Sequence, residues 1–241
     1  KFSMLYQYQQ EDYAVDENGN RGYSHAYKYC PDGLAKGHEK THFFMIQMNH
    51  LISNSLFYDL KISYNRFWNG IYLFSNPLSE KYVNNVYSRT ATDGFYTGGQ
   101  DYRHEKRTLS DLNIKYDITW QANNQHSLKA GIVYTGHDLE NNDITIRNKF
   151  YNESDALSLE YDSVLQEMIS YPFEAVILPD SSVNMDVYKK KPYEFSGYIQ
   201  DKMEFQSMVI NLGIRFDYFH SNTDYPSQYR NPANQIYFEN S

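Results

Sequence analysis

The chain has 241 residues and a mass of 28.5 kDa, which fits one large domain or two small ones. Its net charge of −8 and pI of about 5.5 argue against a nucleic-acid partner, because such partners bind basic surfaces. Aromatic residues make up 17% of the chain, and 25 residues are tyrosines, so the chain is too aromatic to be a disordered segment. A single cysteine, Cys30, excludes a disulfide framework and a cysteine-rich zinc site.

Membrane-spanning helices are also excluded, since no apolar run approaches the roughly 20 residues that such a helix needs. The mean hydropathy of −0.73 does not exclude a transmembrane β-barrel, because barrel strands alternate between apolar and polar side chains. The sequence begins at Lys1 with strand-like residues and carries no signal peptide. We therefore expect it to be a section of a longer protein.

An alternation of apolar and polar residues predicts about seven β-strands. In one of the clearest, Leu60 and Ile62 alternate with Lys61 and Ser63. The clear strands are 11 to 13 residues long. That length suits a tilted transmembrane strand of roughly 9–11 residues better than the roughly 5–6 residues typical of soluble sheets. The predicted strands cover residues 1–9, 42–52, 56–66, 108–120, 126–138, 192–204 and 208–219.

Short and long connections between these strands alternate strictly. Residues 53–55, 121–125 and 205–207 form hairpin turns, whereas residues 67–107 and 139–191 are long connections. Compact soluble domains rarely contain loops longer than about 12–15 residues, but outer-membrane barrels combine short periplasmic turns with long extracellular loops. The predicted fold is therefore all-β, part of one antiparallel transmembrane β-barrel in the cell outer membrane.

Polar residues that alternate with the apolar ones are predicted to face the barrel lumen. In a soluble sandwich the same residues would face water, and periodicity alone does not separate the two cases. The predicted lumen-facing residues are Asp59, Lys61, Asp111, Asn113, Lys115, Asp117, Lys129, Glu194, Gln200, Lys202, Asn211, Arg215 and Asp217. Aromatic residues at strand ends are expected to form girdles at the membrane surfaces. These are Tyr64, Phe67, Trp68, Trp120, Tyr193 and Tyr218.

A family resemblance supports the barrel. The segment Tyr193-Glu194-Phe195-Ser196-Gly197-Tyr198-Ile199-Gln200-Asp201 resembles a recurrent strand of TonB-dependent outer-membrane receptors. The segment Leu212-Gly213-Ile214-Arg215-Phe216-Asp217-Tyr218 is similar to the hairpin partner of that strand, and Leu128-Lys129-Ala130-Gly131-Ile132 is similar to the strand that follows a turn in this family.

The resemblance implies a barrel of about 22 strands, of which this chain supplies a third. It also implies that the plug domain, the TonB box and the barrel ends lie outside the chain. The implied function is binding and import of a nutrient such as a siderophore or a glycan. The implied partners are outer-membrane lipid, the TonB complex (through the plug region) and a small-molecule or oligosaccharide ligand.

The long connections contain the candidate ligand-binding residues. Aromatic and arginine side chains in 67–107 suit a planar polar ligand, but they suit equally well a loop that packs on itself. The candidates are Trp68, Tyr72, Tyr96, Tyr102 and Arg103. Residues 139–191 are acidic and are expected to attract a cationic ligand or a surface lipoprotein, or simply to face solvent. Within them Val164, Leu165, Met168 and Ile169 predict a short amphipathic helix. Lys189 to Lys191 are expected near anionic headgroups.

No catalytic residue, metal site or cofactor is predicted. Residues 16–20 begin like a calcium loop, but Arg21 stands where glycine is required, so they are interpreted as a turn. The histidines form no HExxH motif, and no nucleophile elbow is present. We therefore expect a protein that is not an enzyme. Two alternatives remain open, namely a soluble all-β module that binds or hydrolyses carbohydrate, and a passive porin or adhesin barrel.

Overall fold

The computed structural model describes residues 1–83, 94–96, 98–149, 159–162, 167–170, 173–180, 182–226 and 235–237. In chain order the strands are β1 (Phe2–Ala14), β2 (Lys36–Ser53), β3 (Leu56–Tyr72), β4 (Arg103–Gln121), β5 (His126–Thr145), β6 (Arg147–Asn148), β7 (Leu159–Asp162), β8 (Glu167–Ser170), β9 (Ala175–Val176), β10 (Met185–Lys190), β11 (Tyr193–Glu204), β12 (Val209–His220), β13 (Asp224–Pro226) and β14 (Gln235–Tyr237). A 3-10 turn at Pro31–Gly33 is the helical element of these residues. None of the described helical structure is long and apolar enough to cross a bilayer.

Eight strands form one antiparallel sheet, with the order β1-β2-β3-β4-β5-β11-β12 and with β10 also paired to β5. Each strand up to β5 lies beside its neighbour in sequence, as in an up-and-down barrel. The described edge strands β1 and β12 are not paired with each other, so the sheet is open. Three small two-stranded sheets, β6-β9, β7-β8 and β13-β14, lie outside it.

The strands extend further toward the long connections than their predicted ranges. β3 continues to Tyr72 instead of ending at residue 66, and β4 begins at Arg103 instead of residue 108. β5 continues to Thr145 instead of ending at residue 138. β1 and β2 likewise meet as a longer hairpin, in which Ala14 pairs with Lys36. Strand pairing therefore continues beyond the apolar segments that identified the strands in the sequence.

The connection 139–191 contains β-strands where the sequence predicts a helix and loops. β10 pairs with β5 directly beyond β11, and the N–H of His137 donates to the carbonyl oxygen of Pro192 at 2.9 Å where the two strands meet. The predicted amphipathic helix is wrong for Met168 and Ile169, which lie in β8, opposite Tyr161 and Glu160 of β7. Val164 and Leu165 lie outside the described residues. A short apolar run is compatible with either a helix or a strand, which explains the error.

The register gives the sheet one apolar face and one polar face. Ile62 of β3 lies beside Ile46 of β2 and Ile114 of β4, whereas Ser63 lies beside Met45 and Asn113 on the other face. The apolar face is uncovered, with Ile132 of β5 51% exposed and Ile199 of β11 57% exposed. A water-soluble sheet would bury such a continuous apolar surface, so this is the face that a barrel turns toward lipid.

The buried apolar residues lie at the opposite end of the strands from the short turns. Val15, Ala35 and Ile71 form a small cluster with Tyr13 and Leu34 packed against it. Tyr82 and Ile146 are also fully buried, within the long connections. The tightly packed part of the molecule is therefore its loop end, which in an outer-membrane barrel is extracellular.

Candidate ligand-binding surface at the loop end of the sheet

All the predicted lumen-facing residues share the polar face of the sheet. Asp59, Lys61 and Asn65 of β3 pair in register with Asp117, Lys115 and Asp111 of β4. By the same register, the polar face also carries Asn113, Lys129, Glu194, Gln200, Lys202, Asn211, Arg215 and Asp217. In an outer-membrane barrel this is the face directed to the lumen.

Ion pairs within strands and hydrogen bonds between strands connect the side chains of this polar face. Within β4, Nζ of Lys115 lies 3.0 Å from Asp117, and within β12 Arg215 bonds Asp217 at 2.8 Å. Two residues that were not predicted also belong to the polar face. His137 places Nδ1 2.6 Å from Asp111, and Tyr198 bonds Asp117. The alternation of β5 and β11 is the signal that identifies both residues, because each lies an even number of positions from a polar-face residue of its own strand.

Three long loops are joined at this end of the sheet. We name them loop A (15–35), loop B (73–102) and loop C (146–184). Loop A meets loop B where the N–H of Tyr96 donates to Ala26 at 2.8 Å and the N–H of Asp101 donates to Gly33 at 2.7 Å. Loop C meets loop B where the N–H of Ile146 donates to Tyr102 at 2.8 Å. The described parts of the three loops therefore form one connected structure.

Aromatic packing reinforces the junction between loops B and C. The rings of Tyr102 and Phe173 are stacked with centroids 5.0 Å apart, and the ring of Tyr82 lies 4.9 Å from Phe74 and 6.2 Å from both Tyr102 and Phe173. Tyr82 is 2% exposed, and this burial raises its pKa to about 12. The hydroxyl of Tyr102 also donates to the carbonyl oxygen of Val83 at 2.7 Å.

Charged residues line the polar face directly below the loops. Arg103 donates to the carbonyl oxygen of Glu17 and to the carboxylate of Asp101, both at 3.0 Å, and thereby ties the tip of loop A to β4. Arg107 lies 3.3 Å from Glu105 and 3.7 Å from Asp143. Paired arginines of this kind can exchange a protein carboxylate for an acidic or hydroxyl-rich ligand group.

A second group of charges lies on the polar face near β1. Arg21 of loop A bridges Glu11 at 2.5 Å and Glu39 at 3.0 Å, and its guanidinium lies 4.0 Å from the ring centroid of Tyr13. Loop A is therefore held against the sheet by charge pairs as well as by the apolar cluster around Val15.

An apolar cavity of about 330 Å³ lies beneath loop A. Its lining includes Tyr13, Tyr27 and Leu34, with Asp12 and Lys36 as its charged members. Burial raises the pKa of Tyr27 to about 12, and its ring contacts that of Tyr96 with centroids 4.5 Å apart. Cavities of this size and lining are typical of small-ligand sites.

Two of the five predicted ligand-binding residues lie in the loops, and a third lies directly beside them. Tyr96 contacts loop A, Tyr102 accepts a hydrogen bond from loop C, and Arg103 is the first residue of β4. The prediction that Trp68 and Tyr72 lie in a loop is wrong, because both belong to β3. They lie on the outward face, where Tyr72 stacks between His38 and His104 at centroid distances of 4.7 and 5.3 Å. Strand pairing continues there although the apolar pattern stops, so the pattern alone does not predict this part of β3.

Residues 16–20 form a turn. The carboxylate of Asp16 accepts hydrogen bonds from the N–H groups of Asn18 at 2.9 Å and Asn20 at 2.8 Å. The backbone hydrogen bond from Asn20 is the largest of the effects that lower the pKa of Asp16. Across the residues that the structure describes, no three His, Cys, Asp or Glu side chains are grouped so as to hold a metal ion.

The long strands, the apolar outer face, the polar inner face and the large loops at one end define the class of protein as an outer-membrane β-barrel. A comparison with protein families agrees, since residues 1–237 match the model for an outer membrane beta barrel domain. The chain belongs to this family, and the protein is located in the outer membrane. The soluble β-module is therefore wrong. No significant match to a curated protein or to a solved structure was found.

Proposed function

We propose that the chain is the barrel section of a TonB-dependent receptor, which captures a nutrient with loops A, B and C and admits it through the lumen. The observation that carries the proposal is the joining of three long loops into one structure above a polar face. A receptor needs such pre-organised loops, because ordering them upon binding would reduce the affinity for the ligand.

The chemistry of the loop end supports a ligand with both apolar and polar groups. Tyr27 and Tyr96 provide ring surfaces beside the apolar cavity, and Arg103 and Arg107 provide charged donors on the polar face. Siderophores and oligosaccharides combine flat or ring-shaped surfaces with many oxygen atoms, which suits this mixture. We propose one of these two classes as the ligand.

Partners and chemistry follow from the same proposal. The receptor performs no covalent chemistry and holds no cofactor, and energy reaches it through the TonB complex by way of a plug region. A surface lipoprotein is a candidate partner for the acidic residues of loop C. The β11–β12 hairpin supports the family proposal, since its residues Tyr193–Glu204 and Val209–His220 are those that resemble TonB-dependent receptors.

A passive porin or an adhesin barrel is the second candidate function, because both share the polar-inside arrangement. Uptake experiments separate them. Cells that carry the intact protein are given labelled ferric siderophores and oligosaccharides, with and without a protonophore. We expect saturable uptake of one ligand that stops when the proton gradient is dissipated. Uptake that is linear in concentration and independent of energy would indicate a porin, and absence of uptake with retained cell adhesion would indicate an adhesin.

The Arg103→Ala variant links this uptake to the loop structure. The substitution removes the bonds to Glu17 and Asp101, so we expect a higher half-saturation concentration for the ligand. Lys81→Ala is the matched control, because Lys81 is a loop B cation whose ammonium lies 6.0 Å from the ring centroid of Phe74 and takes no part in the bonds to Glu17 and Asp101. Equal uptake by the wild type and the Arg103→Ala variant would contradict a role for this junction in capture.

A further inference from the structure

The outward face of the sheet changes character directly above its apolar band. At the level of Tyr64 the outward residues are still largely apolar, with Phe44 and Leu112 on the neighbouring strands. The next outward residue of β3 is Arg66, and it pairs with His42 and Ser110. Further along, Lys40 pairs with Trp68 on β2 and β3, and Lys106 pairs with Gly70 on β4 and β3.

These outward positions form a basic patch on three adjacent strands, which we name the basic belt. No acidic residue occupies an outward position of β2 from 36 to 42, of β3 from 66 to 72 or of β4 from 104 to 110. The cations of the basic belt are Lys36, Lys40, Arg66 and Lys106. Histidines add to it, and Trp68 and Tyr72 lie among the cations.

The cations of the basic belt have no carboxylate partner within the part of the chain that the structure describes. The neighbouring cations at the end of β10 and just after it differ, because Lys189 lies 3.4 Å from Glu140 and Lys191 lies 3.6 Å from Asp138. At the other side, Asp12 of β1 lies 2.7 Å from Nδ1 of His38. Lys106 donates to the carbonyl oxygen of Ser75 at 3.2 Å, a neutral partner that leaves its charge uncompensated. The flanking acids are therefore engaged, and the charge of the basic belt is left for an external anion.

Aromatic rings support two of these cations. Nζ of Lys40 lies 5.6 Å from the ring centroid of Trp68, and Nζ of Lys106 lies 5.4 Å from that of Tyr72. Trp and Tyr are the side chains that settle at the membrane–water interface. Their position beside lysines marks this level as the headgroup region, in which cations meet lipid phosphates.

We propose that the basic belt binds the phosphate groups of a phosphorylated glycolipid in the outer leaflet. Acyl chains of the same molecule would lie on the apolar band immediately below, at residues such as Phe44, Ile62 and Ile114. Two residues of strand span only about 7 Å, so one lipid reaches both surfaces. Continuity of the cationic and apolar surfaces favours a lipid over a free anion.

The part of the site formed by Lys40, Arg66 and Trp68 is separate from nutrient capture, because these residues lie on the outward face and do not line the cavity beneath loop A. The basic belt borders the loops at its upper edge, where Lys36 lines that cavity and Lys106 donates to the carbonyl oxygen of Ser75 in loop B at 3.2 Å. Binding of the lipid would fix the height of the barrel in the membrane and hold the extended hairpins β2–β3 and β3–β4 at the membrane surface. Lys189 to Lys191, which the sequence analysis predicts near anionic headgroups, contribute less to lipid binding, since two of these lysines already pair with carboxylates.

Binding to detergent micelles doped with bisphosphorylated or dephosphorylated lipid A tests the proposal. The intact protein is purified, and the fluorescence of Trp68 is followed in a Trp120→Phe background. Trp68 and Trp120 are the two tryptophans of residues 1–241, so this substitution removes the second signal from that range. We expect the bisphosphorylated lipid to bind. The Lys40→Ala/Arg66→Ala variant should bind it about thirtyfold more weakly, because the loss of each surface cation lowers the affinity about fivefold. Retention of lipid phosphate through purification provides a second readout that is independent of Trp68.

Lys61→Ala/Lys129→Ala is the matched control. Both lysines lie on the polar face, and Lys129 is 5.9 Å from the ring of Tyr198, much as Lys40 is from Trp68. We expect this variant to bind like the wild type, with all variants keeping the heat-modifiable mobility of a folded barrel. Equal binding of the dephosphorylated lipid, equal loss in the control, or competition by inorganic phosphate at the concentration of the lipid would overturn the proposal.

Discussion

The hydroxyl of Tyr198 on β11 donates a hydrogen bond of 2.6 Å to Oδ1 of Asp117 on β4, although β5 lies between the two strands. The bond passes over Gly131, which pairs in register with both residues. A Cβ at Gly131 would overlap the Asp117 carboxylate and contact the Tyr198 ring at 2.5 Å. The missing side chain is therefore what lets the polar face connect across three strands.

Gly131→Ala is expected to break this connection. The added methyl group must displace the Tyr198 ring or the Asp117 carboxylate, and overpacking of this kind costs about 1–3 kcal/mol. The measurement is the temperature at which the folded, fast-migrating form is lost on gels. Gly197→Ala is the control, since a Cβ there has its nearest neighbour at 3.8 Å. Equal melting of the two variants would show that the Tyr198–Asp117 bond does not depend on the glycine.

Tyr82→Ala is expected to loosen the junction of loops B and C. The side chain is buried among Phe74, Tyr102 and Phe173, and removing a buried aromatic ring costs about 3–5 kcal/mol. Protease added to intact cells should cleave these loops faster in the variant than in the wild type. Tyr82→Phe keeps the ring and should resist cleavage. If Tyr82→Ala were cleaved no faster than wild type, the loops would not depend on this packing.

Acid is expected to open the turn at residues 16–20. The backbone hydrogen bond of Asn20 lowers the pKa of Asp16 below its usual 3.8, so ionised Asp16 favours the folded turn. This stabilisation is complete above about pH 3.8 and is lost as the pH falls through the lowered native pKa. Hydrogen exchange of the purified protein, corrected for its intrinsic pH dependence, should show reduced protection of the Asn18 and Asn20 amides only at the acid end.

The Asp16→Ala variant should lack this transition and show low protection at every pH. Glu17→Gln changes a neighbouring acid whose backbone carbonyl, rather than its carboxylate, accepts the bond from Arg103. It should therefore keep the wild-type profile. A transition that persists in Asp16→Ala would assign the acid sensitivity to another group.

The strands and their faces were predictable where one face is apolar and the other polar. Ile62 and Ser63 show the principle, because alternation assigned them to opposite faces and the register agrees. Beyond Tyr64 the outward face becomes polar at Arg66, so both faces look alike in sequence and the pattern ends. Backbone pairing does not require the pattern, and β3 continues to Tyr72.

The loop structure could not be predicted from the same signals. The bond from Tyr96 to Ala26 joins residues that are far apart in sequence, and so does the bond from Arg103 to Glu17. Neither contact can be predicted from local composition or from the alternation of apolar and polar residues. The short spacing of apolar residues around Met168 was likewise ambiguous, because four residues are too few to separate a helix from a strand.

The most direct test of the barrel assignment compares adjacent residues of β3. Ile62→Cys and Ser63→Cys are made separately in a Cys30→Ser background, which removes the single cysteine of residues 1–241. Each is labelled with an environment-sensitive fluorophore in membranes that contain nitroxide lipids. The account predicts quenching by the lipids at residue 62 and by a water-soluble quencher at residue 63. Equal quenching by the aqueous reagent at both positions, with none by the lipids, would contradict a membrane-spanning barrel.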